Sequence, residues 1–208
     1  MYYKYPKTFH VPWSLSINSD DKVFKNIDHF ENKRVIVSEK MDGENTAFYS
    51  DFLHARSIDS KQHESRSWVK NFHSQIKYFI PDGWRIYGEN LFAKHQIEYN
   101  SLQSYFYGFA IYNENNICLS YDDTINFFNK INILHVPVLY DGIYNEILIK
   151  NIYKNITHDC EGYVIRMADS FHYNDFKNNM AKFVRKNHVP INEKHWFNKE
   201  VIVNQLAK

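Results

Sequence analysis

Residues 34–40, RVIVSEK, run into Met41-Asp42-Gly43, and this segment limits the fold more than any other. The run reads as a strand that ends at Lys40, and the Asp-Gly pair then turns the chain into a second strand over 45–50. A third strand follows over 52–57, so a set of antiparallel hairpins is expected here. Residues 65–80 carry Trp68, Phe72, Ile76 and Phe79/Ile80 at helical spacing, and Pro81-Asp82-Gly83 ends that helix. Strands are expected over 84–88, 105–112 and 117–121, the last two joined by an Asn/Glu turn. Asp122 or Asp123 then caps a helix over 124–131. A strand over 136–140, a helix over 145–153, strands over 162–167 and 182–186 and a short polar helix complete the chain. Hairpins interrupted by separate helices describe an α+β domain, and the lack of GxGxxG after a strand argues against a dinucleotide fold.

At 208 residues the chain can bury one substantial core, and a single domain over 1–208 is expected. The net charge of +1 provides no global basic field, so a nucleic-acid partner would need a local patch. Aromatic residues reach 17%, enough to fill a core and leave rings for stacking on bases. Cys118 and Cys160 form no CxxC pair, which points away from a disulfide framework or zinc site. A cytoplasmic location is expected, the host cytoplasm if the chain is phage-encoded. The opening MYYKYPKTFHVPW lacks the apolar core of a signal peptide, and no apolar run approaches the ~18–20 residues that span a bilayer. The histidines, among them His10, His54, His63, His73, His95 and His188, show no HExxH spacing and read as ordinary residues.

A lysine at a strand end before a turn is placed to project into a cleft. As a nucleophile it must first lose its proton. Glu39, Asp42 and Glu44 surround Lys40 in sequence and would hold that proton on until a divalent cation enters with a triphosphate. Taken alone, KxDG describes a charged surface turn better than a nucleophile, since so short a motif matches by accident. Glu161 begins a strand and can hold a hydrated cation. Arg56 leaves its strand among polar residues, and its planar fork suits phosphate or ribose oxygens. Alternation puts Tyr105, Tyr107 and Phe109 on one face and Phe106 on the other, with Gly108 leaving room for a flat base. Residues 63–68 hold a helix start beside Arg66, which reads as a cap or an anion site. Lys182, Arg185, Lys186, His188 and Lys194 with Trp196 read either as a grip on single-stranded RNA or as a solvated basic face.

Six segments in order resemble the covalent nucleotidyl transferases, the group of DNA ligases, RNA ligases and mRNA capping enzymes. Lys40-Met41-Asp42-Gly43 is similar to the family's first motif, KxDG, and Arg56-Ser57 to its next element. Tyr87-Gly88-Glu89-Asn90 resembles motif III, and residues 106–111, FYGFAI, resemble motif IIIa. Residues 161–166, EGYVIR, are similar to motif IV, EGxVI(R/K), and Lys182-Phe183-Val184-Arg185 falls at motif V. The set spans 39–186, and the RNA ligases of the phage T4 RNA ligase 2 type are the nearest group.

The resemblance implies a nucleotidyl transferase fold, ATP-grasp-like, of antiparallel sheets flanked by helices. With the chain ending at Lys208, no OB-fold domain is expected. It implies ATP as AMP donor, Mg²⁺ or Mn²⁺, and RNA with 5′-phosphate and 3′-hydroxyl ends as partner, joined by a monomer. Lys40, Glu161 and Lys182 would be catalytic, with Glu161 and Glu89 serving the metal and Glu89 also the ribose. Glu39, Asp42, Gly43, Asn45, Arg56, Phe109 and Arg185 would complete the nucleotide site, Phe109 by stacking on adenine. A DNA ligase, a guanylyltransferase and a non-catalytic nucleic-acid binding module are the alternatives. Two positions depart from the pattern. Ala110 replaces the usual Asp of motif IIIa, and Val184 stands where motif V has its second lysine. A strand bulge that brings in Arg185 or Lys186 would repair the second departure.

Overall fold

The computed structural model describes residues 1–156, 158–186 and 201–208. The expected closing helix, and His188, Lys194 and Trp196, lie outside the described residues. Strands are numbered in chain order. The first sheet runs β1 (Phe9–His10), β12 (Met180–Val184), β10 (Gly162–Met167), β2 (Arg34–Glu39), β9 (Val138–Ile143). Only the β1–β12 pair in it is parallel. The second runs β11 (Phe171–His172), β7 (Ile117–Cys118), β6 (Phe106–Tyr112), β5 (Arg85–Asn90), β3 (Glu44–Phe48), β4 (Leu53–Ala55). A short β8 (Leu134–His135) lies parallel beside β6.

Strand alternation sorts the apolar side chains into layers. Val35, Val37, Tyr163, Ile165, Ala181 and Phe183 leave the outer face of the first sheet and meet Ile149 of α3 (Glu146–Ile152). Phe48, Ile86, Phe106 and Ile111 leave the outer face of the second sheet. They pack on α1 (Ser67–Ile76) through Val69 and Ile76, and on α2 (Tyr121–Lys130) through Phe128. Between the sheets Ala47, Tyr87, Ala110 and Tyr112 meet Val164 and Met180. Each large side chain buried this way contributes about 1.5–3 kcal/mol. The rings also house Arg85, whose guanidinium sits 4.4 Å from the Tyr3 ring and 4.5 Å from that of Tyr112, a use of the aromatic excess as cation–π contact.

The α+β expectation holds, with local corrections. Met41-Asp42-Gly43 does not close a hairpin; β2 pairs with β9 and β10 while β3 pairs with β4 and β5, so the turn carries the chain from one sheet to the other. The helix expected over 65–80 is α1 flanked by 3-10 turns at 64–66 and 77–79. Ser120, not Asp122 or Asp123, caps α2: its hydroxyl oxygen accepts the N–H of Asp123 at 3.1 Å and donates to the Asp123 carboxylate at 2.6 Å. Strands β1 and β11 and the short helix α4 (Phe176–Asn179) carry too few residues for a periodic signal.

Gly108 does not make room for a base. A Cβ there would lie 2.5 Å from Cζ of Phe128, so the glycine lets α2 seat on the second sheet. Gly108→Ala is expected to overpack that contact and cost about 1–3 kcal/mol, read by urea denaturation, with Phe128→Leu recovering part of the loss.

Candidate active site

The two sheets enclose a cleft of about 810 Å³, and the sheet-to-sheet crossing opens into it. Lys40 follows β2 directly, and its backbone N–H donates to the Gly162 carbonyl at 3.0 Å. Glu161 precedes β10, the antiparallel neighbour of β2, so strand pairing alone puts the two side chains together. Lys40 Nζ donates to Glu161 Oε2. Gly162 is required beside them, because its φ of +153° suits glycine and a Cβ would lie 2.0 Å from the Phe183 carbonyl oxygen.

Lys182 reaches the cleft from β12, Glu89 from β5 and Phe109 from β6; Glu39, Gly43, Asn45 and Arg56 also line it. Phe109 owes its place to a bulge. Tyr87 opposes Ala110 and Gly88 opposes Gly108, which leaves Phe109 as the extra residue of β6. The alternation expected over 105–109 holds, and the bulge then lets Ala110 share a face with Phe109. Ala110 is buried in the inter-sheet cluster with Ala47 and Tyr87. The Phe109 ring meets Tyr5 edge-on at 5.1 Å, and with Val136 and Val164 it forms an apolar wall. Arg166 spans the sheets, donating to the carbonyls of Phe109 at 3.3 Å and Leu119 at 2.8 Å, and so holds the bulge.

Two expected residues stand elsewhere. The Asp42 carboxylate accepts the backbone N–H groups of Gln96 and Ile97, each at 2.8 Å, and thus fixes the crossing rather than lining the cleft. The β10–β12 register runs without a bulge, so Val184 faces the cleft beside Lys182 while Arg185 turns away to Asp159 at 2.9 Å. Of the acids adjacent in sequence only Asp42 is among those that act on Lys40. Burial pulls the Lys40 proton affinity down, but Glu161, Glu89 and Asp42 outweigh it, and its pKa lies above the ordinary lysine value. Glu39 is engaged with His158 at 3.0 Å, and Glu44 receives a two-pronged bond from Arg66, one prong at 2.6 Å. Burial, with Glu161 and Asp42 adding to it, pushes the Glu89 carboxyl up to about 8 against the pull of Lys40. Lys182 is lowered by burial and by the charge of Lys40.

Sequence reasoning passed over several residues of the cleft. Lys7 and His10 come from the N-terminal segment, whose pairing with β12 no local pattern announces. Asp21 lies in an irregular loop, and His95 was one of many scattered histidines. Arg66 does face the cleft, yet its guanidinium is committed to Glu44 and to the Lys61 carbonyl at 2.5 Å, and the helix start is a cap, with His63 Nδ1 accepting the Ser65 N–H at 3.3 Å.

The RNA ligase family model matches residues 33–184. The chain belongs to the RNA ligase family. Among solved structures it is similar to variants of the Naegleria gruberi RNA ligase bound to ATP and Mn. One is 18% identical with a TM-score of 0.54, over 76% of this chain and 52% of that one. Another is 17% identical with a TM-score of 0.56, over 86% and 59%. The same enzyme with pyrophosphate matches at 17% identity and a TM-score of 0.54. These likenesses show a shared nucleotidyl transferase fold, and the chain spans about half the length of the ligases it matches. Comparison with curated protein sequences returns no match.

The Arg66–Glu44 pair is nearly dry, with side-chain exposures of 8% and 11%. Removing one partner strands the other, so Glu44→Gln is expected to cost about 3–5 kcal/mol in chemical denaturation, and Glu44→Gln with Arg66→Met less than that.

Proposed function

We propose that this chain is an ATP-dependent RNA ligase in which Lys40 takes AMP from ATP and passes it to RNA. The observation that carries the reading is the position of the Lys40 amine. It lies where the ends of both sheets meet, bonded to Glu161, under the influence of Glu89 and Lys182, and opposite an apolar wall that suits a base.

In the first step Nζ of Lys40 attacks the α-phosphorus, the bond to the β-phosphate bridging oxygen breaks, and pyrophosphate leaves. Glu161 orients the amine, and Lys182 offsets charge on the five-coordinate phosphorus. The adenine lies on Phe109, Val136 and Val164, and Glu89 accepts from the ribose. A 5′-phosphate oxygen of RNA next attacks the AMP phosphorus and displaces Lys40. A 3′-hydroxyl then attacks the 5′-phosphorus and releases AMP.

The residues fit a divalent cation. Burial first, and the nearby charges of Glu161 and Asp42 after it, push Glu89 up to about 8, and a cation beside it would favour the charged carboxylate. Among the described residues no three acidic, His or Cys side chains are grouped to hold a metal ion, so phosphate oxygens and water would have to complete its coordination. Glu161 and Glu89 would hold such an ion, and its charge would make the neutral form of Lys40 more accessible.

Incubation with α-labelled ATP and Mg²⁺ or Mn²⁺ is expected to label the protein, and Lys40→Ala to abolish the label. A label that survives Lys40→Ala, or none in the parent, contradicts the reading. Nicked RNA and DNA substrates, with GTP and NAD as competing donors, separate an RNA ligase from a DNA ligase or a guanylyltransferase. Because the Lys40 pKa is raised and Glu89 sits at about 8, both lose protons as pH rises. The single-turnover rate of adduct formation is therefore expected to climb by roughly tenfold per unit between about pH 6 and about pH 7.5, measured at saturating ATP. A flat profile would remove the proton on Lys40 as the limiting factor.

A further inference from the structure

Val184 occupies the cleft-facing position two residues after Lys182, so β12 itself supplies one cation and not two. A second ammonium reaches the same place from another part of the chain. β1 pairs in parallel with β12, His10 opposite Lys182, and the segment leading into β1 carries Lys7 along the cleft wall. Lys7 Nζ lies 3.6 Å and Lys182 Nζ 3.5 Å from the same carboxylate oxygen, Oδ1 of Asp21. That carboxylate is itself nearly buried, with a side-chain exposure of 8%, accepts the Asn18 N–H at 3.1 Å and lies 3.3 Å from His10 Nε2. Two ammonium groups thus converge on one carboxylate oxygen inside the cleft, each within reach of an anion that enters beside Asp21.

We propose that Lys7 is a second phosphate-binding cation, which with Lys182 grips the β- and γ-phosphates of the nucleotide and the pyrophosphate that leaves. This rests on the adenylylation reading above. The order of the charges supports the assignment. Lys40 lies just past β2, Lys182 lies on β12 across β10 from it, and Lys7 reaches the Asp21 oxygen that Lys182 also faces, so the three ammonium groups step across the first sheet from the nucleophile. An α-phosphate at Lys40 would place the rest of the triphosphate along that row. Lys7 can make the exchange cheaply. Its other partner is Asp20, through the carboxylate at 2.7 Å and the backbone carbonyl at 2.6 Å, and a pair whose acid is 79% exposed is held only weakly against water. A multiply charged phosphate chain competes well against that.

The probe is inorganic pyrophosphate with Mg²⁺, titrated calorimetrically into the parent protein, Lys7→Gln and Lys7→Arg. Lys7→Gln is expected to weaken binding by roughly tenfold, and Lys7→Arg to restore most of it. The same substitution is expected to raise by a similar factor the ATP concentration for half-maximal adduct formation. Sealing of RNA that already carries 5′-linked AMP involves no pyrophosphate and should be unchanged. Equal pyrophosphate affinity in the parent and Lys7→Gln overturns the proposal, as does a sealing defect that matches the defect in ATP use, the mark of a structural role or an RNA contact. Pyrophosphate binding that depends on Lys7 in a protein that forms no adduct would leave this inference standing and remove the ligase reading instead.

Discussion

Residues 40–43 carry the chain from the first sheet to the second, and the site depends on how tightly that crossing is held. The Asp42 carboxylate is bound by two backbone N–H groups, those of Gln96 and Ile97, and the Asp42 N–H donates to the Tyr99 hydroxyl at 2.9 Å. Gly43 lets the backbone pass Asn90, where a Cβ would lie 2.5 Å from the carbonyl oxygen. Behind Tyr99 stands Asn204, fully buried, whose side chain accepts the Tyr99 N–H at 2.9 Å and donates to the Leu91 carbonyl at 2.8 Å. The C-terminal strap is thus part of the support of the first motif. A lysine on a strand end elsewhere would wave in solvent; here its backbone is fixed on both sides, and little remains free except the direction of the amine.

That placement has an electrostatic consequence. The crossing brings Lys40 among more carboxylates than it can neutralise, and the protein disposes of those that would not help. Glu44 goes to Arg66 and Glu39 to His158, whereas Glu161 and Glu89 stay directed at the amine. The result is a lysine that holds its proton and a glutamate that shares one, an arrangement poorly suited to attack unless positive charge arrives with the substrate. Farther along the same sheet Lys182 and Lys7 flank Asp21 and offer that substrate an anion site. The cleft therefore carries acids beside the nucleophile and two cations farther along the first sheet, Lys182 on β12 and Lys7 on the segment that leads into β1.

Much of this was legible in the sequence because the informative residues sit at the ends of regular strands. Lys40 and Glu89 close a segment whose pattern reads as a strand and Glu161 opens one, and antiparallel pairing then brings Lys40 and Glu161 together. What escaped notice depends on partners remote in sequence. Nothing local says that Met41-Asp42-Gly43 leaves one sheet for another, since a hairpin turn has the same composition. Nothing in KYPKTFH says that its backbone will pair with β12, and so Lys7 and His10 were invisible as cleft residues. Gly108 was misread because a glycine beside an aromatic stripe can admit either a ligand or a core ring, and Phe128 decides for the ring. Arg185 failed to reach the cleft for a simple reason of period: a strand without a bulge turns every second residue away.

The account stands or falls on which atom carries the nucleotide. Protein incubated with ATP and metal, digested and read by tandem mass spectrometry, locates the adduct directly. AMP linked to Nζ of Lys40, on the peptide that contains Met41-Asp42-Gly43, is the result predicted. AMP on Lys182, Lys7 or any other side chain, with the Lys40 peptide unmodified, would contradict it.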